Sequence, residues 1–456
     1  MTESSDRLHA PVYPEARRSA AAIGDPEGLP RVAVFHQSMG SAGLWDIYEA
    51  ARGICRPVLF FSRSTARDFP ELVEAAEGMF SVEVFEPSEL VEAVKAAGVQ
   101  GVLTFHDDEL DNADAAVWAL DLPGVCGVEQ PWDKLVQRRA LARAGLSEIG
   151  AVPVDSADDF VKGLHKVGRP AVLKPRRAAG GSGLAFIEDP ADVDFQLSHR
   201  QQWEGMVLEA ELPSAPHPAA AWLSDFVSVE TVSTGDGRHH VAVFDKAPVS
   251  INRRGGTAAG ADALSVTGDV TPTRLPDDLR ETVLEYTESV LEALGVRWRV
   301  THTEIRLTPY GPELIEVNGR VGGHLSRLVT EVGGPNMFSA ALQLALGQEP
   351  EIPPLPSGAP NGYAMGFFPA FRDRQGNVAS NVTRADLAAL PGVLRVDEVA
   401  LQGDPRHATG CRATNLVLRA ADAAEMDSVI TEVAAGVVRL FAADDFPSDP
   451  WFDNFM

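Results

Sequence analysis

The stretch THTEIRLTPYGPELIEVNGRVGG, residues 301–323, decides the fold prediction for this chain. Two runs that alternate apolar and polar residues flank Tyr310, which is the pattern of a β-hairpin. In a hairpin symmetric about Tyr310, Glu304 faces Glu316 across the two strands. Like charges directly opposite each other destabilise a sheet, so the pattern predicts a group that neutralises the two carboxylates.

Magnesium is the neutralising group that the side chains of this hairpin favour. Mg²⁺ takes carboxylate and amide oxygens, and substrate phosphates commonly complete its coordination, so Glu304, Glu316 and Asn318 are the predicted ligands. Arg320 follows on the same face, where a permanent cation can stabilise charge on a transferring phosphoryl group. His302 is a metal ligand, a base or, in the interpretation placed first, a group that orients a ligand by a hydrogen bond. The alternative for the whole set is a solvated hairpin face with scattered charge.

Composition narrows the class of protein. A chain of 456 residues is long for one domain and indicates roughly two to four packed units. Lys and Arg number 39 against 65 Asp and Glu, and the formal charge of −26 argues against a nucleic-acid binder, which needs a basic surface. A phosphate site in this chain must therefore concentrate its cations locally. The three cysteines lie far apart in sequence and form neither a metal spacing nor a disulfide framework, which is typical of the cytoplasm.

The first part of the chain predicts a mobile tail followed by an α/β domain. Residues 1–30 are rich in small, polar and proline residues and lack an apolar signal core. From Arg31 to about residue 130, the buried-strand patterns RVAVFH, RPVLFF, SVEVF and GVLTFH alternate with helical patterns, which indicates a parallel sheet wrapped by helices. No apolar run is long enough to predict a membrane span.

An acidic cluster follows one strand of this α/β domain. His106, Asp107, Asp108 and Glu109 come just past the carboxyl end of GVLTFH, where open α/β sheets bind ligands. The alternative is a helix N-terminus, where acidic residues are favoured in any case. Both interpretations stay open. The first strand has no G-x-G-x-x-G after it, so a dinucleotide site there is not expected.

Two glycine-rich loops are candidate anion sites. Lys174 ends an apolar strand, where an unpaired charge is costly and an anionic ligand would offset it. The loop AAGGSG at 178–183 follows, and its glycines let backbone amides approach phosphates, although a plain hairpin turn is the alternative. The loop RRGGTAAG at 253–260 carries two arginines suited to carboxylate or phosphate, with a mobile surface loop as its alternative. Lys134 and the strand LEAEL at 208–212 are uninformative alone.

Taken together and in order, these segments resemble the ATP-grasp superfamily. The resemblance rests on DK (133–134), VLKPRRAAGGSG (172–183), LEAEL (208–212), SDFVSVETV (224–232), VFDKAP (243–248) and HTEIRLTPYGPELIEVNGRVGG (302–323). It covers roughly residues 30–350. Within the superfamily the chain is most similar to the bacterial L-amino-acid ligases that make dipeptides and to carnosine synthase. Biotin carboxylase and the purine-pathway ligases match these segments less well, and the loop RRGGTAAG differs from that of the dipeptide ligases.

The resemblance implies a multidomain α/β and α+β architecture in which two α+β subdomains clamp ATP. Its expected segments are a disordered tail (1–30), an N-terminal parallel α/β domain (31–130), a small subdomain with the glycine loop (131–205), a large subdomain with the metal site (206–354) and a small C-terminal α+β lid (355–456). A linker, LPSGAP, is expected at residues 355–360.

The resemblance also implies residue roles. Lys134 and Lys174 would contact ATP phosphates, and Gly180, Gly181 and Ser182 would form the loop that closes over them. Glu209 and Leu212 would lie at the adenine hinge. One or two magnesium ions, with manganese as a substitute, would be held by Glu304, Glu316 and Asn318, and Arg320 would stabilise the acyl-phosphate transition state. The substrate positions implied are Glu109, Arg254, His302, Gly322, Gly323 and His324.

The implied activity is ATP-dependent carboxylate–amine ligation through an acyl phosphate. The acid would be an amino acid, and the amine a second amino acid or a peptide in a natural-product pathway. A homodimer is expected from the resemblance alone. One alternative is a carboxylase that activates bicarbonate, although the chain has no biotin-attachment stretch such as A-M-K-M. A second alternative is a non-catalytic ATP-binding regulator, which would have little need of Arg320.

Overall fold

The computed structural model describes residues 28–38, 40–124, 126–178, 180–253, 259–371, 376–406 and 412–441. The chain divides into two compact units, and Val125 ends the first stretch of the first unit. That unit also includes Met337–Glu351, while the second unit comprises Cys126–Asn336 and Ile352 onward. Most of the predicted tail, residues 1–27, lies outside the described residues. Across the described ranges, no helix is both long enough and apolar enough to cross a bilayer.

The first unit contains a parallel sheet of four strands in the order β3-β2-β1-β4, as the alternating pattern predicted. Strands β1, β2 and β4 are buried, nearly continuous apolar runs, as is typical of a parallel sheet covered by helices, while the edge strand β3 is mostly exposed. Phe35, Phe60 and Phe85 are fully buried in its core. The elements are β1 (Arg31–Phe35), α1 (Leu44–Ala51), β2 (Arg56–Ser62), α2 (Arg63–Asp68), α3 (Pro70–Glu77), β3 (Ser81–Phe85), α4 (Leu90–Ala96), β4 (Gly101–Thr104) and α5 (Leu110–Leu120).

A helix from much later in the chain, Met337–Ala345, belongs to the first unit. A β-carbon on Gly101 would overlap the carbonyl oxygen of Ala345, so the glycine lets the helix approach β4 closely. Ser339 Oγ donates a hydrogen bond to the Ala50 carbonyl at 3.0 Å. The sequence analysis had assigned this helix to the segment 206–354, because nothing local in an amphipathic helix identifies its packing partner.

The second unit begins with a small antiparallel sheet in the order β5-β8-β6-β7. Val154, Phe160, Leu173 and Leu208 form part of its buried core. The elements are α6 (Lys134–Ala144), β5 (Ala151–Val154), α7 (Ala157–Val167), β6 (Ala171–Pro175), β7 (Ala185–Ile187), α8 (Pro190–His199) and β8 (Met206–Ala210). The predicted glycine loop joins β6 to β7.

An eight-stranded sheet, ordered β15-β14-β9-β10-β13-β16-β18-β17, forms the rest of the second unit, with a separate hairpin of β11 and β12. Its strands are β9 (Phe226–Ser233), β10 (Arg238–Lys246), β11 (Val249–Asn252), β12 (Ala263–Val266), β13 (Gly268–Thr271), β14 (Arg299–Thr308), β15 (Gly311–Asn318), β16 (Tyr363–Phe367), β17 (Val393–Val399) and β18 (Thr414–Ala420). Its helices are α9 (Asp277–Ala293), α10 (Leu325–Glu331), α12 (Arg384–Ala388) and α13 (Ala423–Leu440), while α11 is the Met337–Ala345 helix of the first unit.

The C-terminal segment continues this sheet. An antiparallel pairing of β13 with β16 joins the C-terminal strands to the central ones, and Met426 and Ile430 of α13 lie in the same core as Leu416 and Phe367. The segment was expected to be a small separate unit, but its first strand, β16, pairs with β13, which precedes it by about a hundred residues. The linker at residues 355–360 has no helix or strand, and the subdivision at residues 205 and 354 stays a prediction.

The hairpin of β14 and β15 has the predicted register at its far end. Glu304 pairs with Glu316, and His302 with Asn318. The turn differs from the predicted one, which was centred on Tyr310. Thr308 pairs with Gly311, so the two turn residues are Pro309 and Tyr310. A bulge between the Glu304–Glu316 and Ile305–Leu314 pairs adds one residue, Ile315, to β15. That extra residue restores the register that symmetry about Tyr310 predicted.

Candidate active site

Glu304 and Glu316 lie opposite each other on β14 and β15, at the end of the hairpin away from its turn. Glu316 Oε2 is 2.8 Å from Lys134 Nζ, and Glu316 Oε1 accepts a hydrogen bond from Asn318 Nδ2 at 2.9 Å. Glu304 Oε1 lies 3.3 Å from His302 Nε2. The repulsion that the pairing predicts is therefore offset by Lys134 and Asn318 beside Glu316 and by His302 beside Glu304.

Lys134 connects the hairpin to the glycine loop. It is the first residue of α6, which Asp133 caps by accepting hydrogen bonds from the backbone amides of Leu135 and Val136. Besides its ion pair with Glu316, Lys134 Nζ donates to the Ala178 carbonyl at 2.9 Å. Only 9% of the side chain is exposed, so this is not an ordinary surface lysine.

Lys174 lies in a second buried group of charges. It pairs with Glu209 of β8, and Glu209 Oε2 also accepts from Arg138 Nε of α6 at 3.0 Å. Burial by itself raises the pKa of the Glu209 carboxyl, but Arg138 and Lys174 outweigh it and bring that pKa to about 2. Burial lowers the pKa of Lys174 against the opposing effect of Glu209. Arg138, which the sequence analysis did not single out, is thus part of the site.

The glycine loop needs its glycines. Gly180, Gly181 and Gly183 have φ angles of 62°, 69° and 74°, a region that side chains disfavour. A β-carbon on Gly183 would also lie 2.8 Å from Pro175 Cγ. Ser182 lies between these glycines, and Leu212 follows β8 with 9% of its surface exposed.

Three buried charges behind the hairpin were missed by the sequence analysis. Glu230 on β9 is fully buried; it pairs with His302 Nδ1 and accepts from the Gly322 amide at 3.1 Å. Lys246 on β10 pairs with Asp269 on β13 at 2.6 Å. The resemblance already included the two segments that contain Glu230 and Lys246, which are SDFVSVETV and VFDKAP. Their alternation could have indicated that these charges share a face, but not that they point toward His302.

His302 lies between two carboxylates. Burial lowers the pKa of its imidazole, but Glu230 and Glu304 outweigh burial and raise that pKa to about 9. For Glu304, burial raises the pKa, while His302, Lys246 and Arg320 lower it to about 2. The structure thus brings the His302 ring within hydrogen-bond distance of Glu304, and the role of His302 in orienting that carboxylate stays a prediction.

The residues after β15 form a tight loop beside His302. Arg320 Nη1 donates to the Val321 carbonyl at 3.1 Å. A β-carbon on Gly322 would lie 2.8 Å from His302 Nδ1, so only glycine fits there. Gly323 is exposed, and His324 adopts a left-handed φ of 62° as it begins α10.

Glu109 is the one predicted site residue in the first unit, and Arg254 lies outside the described residues. Glu109 is 2% exposed and accepts hydrogen bonds from Gln37 Nε2 at 2.5 Å and Asn112 Nδ2 at 2.6 Å. Burial raises the pKa of its carboxyl. Asp107–Glu109 form a short 3-10 turn that leads into α5, so both interpretations of this acidic cluster stay open.

The donors at the hairpin suit a hard divalent cation. Glu304, Glu316 and Asn318 offer only oxygen ligands from neighbouring positions on two paired strands, which fits Mg²⁺. No cluster of three or more His, Cys, Asp or Glu side chains with metal-site geometry occurs in the described ranges. The predicted set does not require one, since it combines two carboxylates with an amide.

Comparison with known proteins supports the resemblance. No protein-family model matches the chain. An alanine–anticapsin ligase from Bacillus subtilis is 28% identical over 248 residues, which are 50% of this chain and 50% of that protein. Human carnosine synthase 1 is 26% identical over 335 residues, which are 68% of this chain and 38% of that protein. The chain thus spans about half the length of the first of these relatives and less of the second.

The crystal structure of an L-amino acid ligase from Bacillus licheniformis superposes with a TM-score of 0.64 at 20% identity. The match covers 89% of this chain and 97% of that one. It confirms the multidomain ATP-grasp fold predicted from the sequence. The predicted similarity to L-amino-acid ligases and to carnosine synthase is likewise confirmed.

Proposed function

We propose that the protein is an ATP-dependent ligase that joins the carboxylate of an amino acid to the amine of a second amino acid or a peptide. The observation that supports it most strongly is the double contact of Lys134 with the Ala178 carbonyl and with Glu316. One buried cation thereby connects a glycine loop suited to phosphates with a carboxylate pair suited to Mg²⁺. The similarity to three named ligases of amino acids agrees with this chemistry.

In the proposed reaction, a carboxylate oxygen of the first substrate attacks the γ-phosphorus of ATP, and the bond from that phosphorus to ADP breaks. The amine of the second substrate then attacks the acyl carbon, phosphate leaves, and the nitrogen loses a proton. Phosphoryl transfer of this kind depends on positioning and charge neutralisation more than on covalent help from the protein.

Each group of residues has a proposed part in that reaction. Lys134 and Lys174 orient the phosphates, and the amides of Gly180, Gly181 and Ser182 close over them and exclude water. Glu209 and Leu212 border the adenine. Glu304, Glu316 and Asn318 would hold Mg²⁺, which when bound neutralises phosphate charge. Arg320 stabilises the charge that develops on the acyl group, while Glu230 keeps His302 cationic and the carboxylate of Glu304 in place.

The setting of the activity is part of the proposal. Cys55 is a buried free thiol, which agrees with a cytoplasmic protein. We place the product among small peptides or peptide natural products, with one or two Mg²⁺ per site and Mn²⁺ as a substitute. A homodimer and a lid role for the C-terminal segment complete the proposal, both from the resemblance.

Release of phosphate from ATP and Mg²⁺ across a matrix of single and paired amino acids tests the proposal, with mass spectrometry of the products. We expect release that requires two partners and a product mass equal to their sum minus water. If no pair of amino acids gives phosphate release, peptides are tested next as the amine substrate. Release that depends on bicarbonate and biotin, or nucleotide binding without any turnover, would overturn the ligase assignment.

A further inference from the structure

A half-buried cationic cluster lies beside His324, and the proposed reaction does not use it. We define the Arg412 cluster as His324, Phe368, Arg412 and Asn415, all in the second unit. The His324 ring lies on Phe368 with centroids 5.2 Å apart, and His324 Nδ1 is 3.4 Å from Asn415 Nδ2. Arg412 Cζ lies 5.3 Å from the centroid of the same Phe368 ring. Arg412, just before β18, and Asn415, near the start of β18, thus bring a guanidinium and an amide next to the loop that follows Arg320.

Among the described residues around this cluster, Asp397 and Glu331 pair with two other arginines, and Glu331 lies 3.9 Å from Arg395. Arg327 and Arg395 both pair with Asp397, at 3.5 Å and 2.6 Å. Arg412 has no carboxylate of a described residue within 4.0 Å; its guanidinium lies over the face of Phe368, and its backbone bridges to Ala370. Burial together with Arg412 and Arg327 lowers the pKa of His324 to about 4, so this imidazole is neutral and adds no charge. In a chain of formal charge −26, a guanidinium without an acidic neighbour among the described residues indicates a place for an external anion.

The cluster adjoins the carboxylate pair. Lys246 acts electrostatically on Glu304, and its ion-pair partner Asp269 acts on His324. Glu230 also holds the Gly322 amide, which fixes the loop between Arg320 and His324. We place the acyl carbon of the substrate at Arg320, from which the loop of residues 321–323 leads to His324 of the Arg412 cluster.

We propose that Arg412 binds the side-chain carboxylate of an acidic amino acid, which would make a dicarboxylic amino acid the acid substrate of the ligase. This inference rests on the proposed function. Arg412 would form two parallel hydrogen bonds to the carboxylate, with Asn415 and the neutral His324 as further polar neighbours. The second carboxylate of the substrate, at Arg320, remains the one that attacks ATP.

The test compares aspartate and glutamate with asparagine and glutamine as the acid substrate, at saturating ATP, Mg²⁺ and amine, with phosphate release and product mass as readouts. We expect kcat/KM to favour the acidic member of each pair by roughly 10- to 100-fold, as for a hydrogen bond to a charged group. Arg412→Gln should remove this preference and leave the KM for ATP unchanged, while Arg412→Lys should restore part of it. Arg439→Gln, at an exposed position on α13, is the matched control and should keep the preference.

Three outcomes would overturn the inference. In the first, the wild type uses asparagine and glutamine as well as aspartate and glutamate. The same conclusion follows if Arg412→Gln keeps the preference for the acidic substrates while its circular dichroism spectrum shows that it is folded. In the second, amidation of the amine partner's carboxylate abolishes wild-type activity while Arg412→Gln is indifferent to it, which would assign Arg412 to the amine partner. In the third, no pair of amino acids or peptides supports ADP formation, which overturns the ligase proposal itself.

Discussion

Lys134 is the single residue on which the proposed phosphate site depends most directly. We expect Lys134→Met to lower kcat/KM for ATP by about 100-fold or more, because it removes a positioned cation and leaves the Glu316 carboxylate without its partner. Phosphate release measures the effect. Lys162→Met, on the exposed face of α7, is the matched control and should retain wild-type turnover. Equal turnover in the two variants would contradict the phosphate role of Lys134.

Glu316 tests the metal assignment. Glu316→Gln keeps the shape of the side chain but removes one of the two facing charges, so we expect ADP formation to fall below detection while the protein stays folded. ADP formation is measured over a range of Mg²⁺ concentrations and compared with Glu285→Gln, at an exposed position of α9. Normal turnover by Glu316→Gln at low Mg²⁺ would exclude Glu316 as a ligand.

His36 predicts a pH dependence of stability. Burial, together with the nearby His106, lowers its pKa to about 3, well below the value of about 6.5 in an unfolded chain. The folded state therefore disfavours the proton, and the contribution of His36 to stability is present above pH ~6.5 and is lost as the pH falls toward 3. Between pH 6.5 and 5.5 we expect the contribution of His36 to the free energy of unfolding to drop by about 1 kcal/mol, measured in urea titrations as the difference from His36→Gln. His36→Gln should reduce that drop, whereas His165→Gln, at an exposed position of α7, should not.

Among the elements, the contact of β4 with α11 gives a prediction about packing. In Gly101→Ala the new methyl group would overlap the Ala345 carbonyl, so the helix must shift. We expect a loss of about 1–3 kcal/mol in the free energy of unfolding, which is typical of overpacking. Gly150→Ala is the control, since a β-carbon there meets nothing within 4 Å. A Gly101→Ala protein as stable as the control would show that α11 moves without cost.

Sequence reasoning predicted the elements whose partners are close in sequence. The hairpin of β14 and β15 could be predicted because its two strands are adjacent in sequence, although the bulge at Ile315 was not visible in the alternation. Glu230, Lys246 and Asp269 were missed because their approach to the hairpin depends on strand order across a sheet. The packing of α11 on β4 could not be predicted for the same reason, because the sequence of a helix does not indicate which distant element it packs against.

For the whole molecule, the strong net negative charge means that binding of an anionic nucleotide depends on cations concentrated at its site. Three buried cations lie in this part of the fold: Lys134 pairs with Glu316, and Lys174 and Arg138 both pair with Glu209. An anionic nucleotide should therefore bind the folded state despite the formal charge of −26. Ligand at about 100 times its Kd stabilises a folded protein by roughly 2.7 kcal/mol. We expect the Tm to rise with ATP and Mg²⁺, and the rise to be lost in Lys134→Met but kept in Lys162→Met. An unchanged wild-type Tm at millimolar ATP would argue against nucleotide binding.

The pairing of β13 with β16 has a consequence for how the chain can be divided. A fragment ending at the linker of residues 355–360 would lack β16, β17 and β18, and the backbone amides and carbonyls of β13 that face β16 would lose their partners. A central strand would become an open edge, a template for pairing between molecules. Such a fragment would be prone to aggregation whatever its catalytic residues, so a loss of activity on truncation would not by itself assign catalysis to the C-terminal segment.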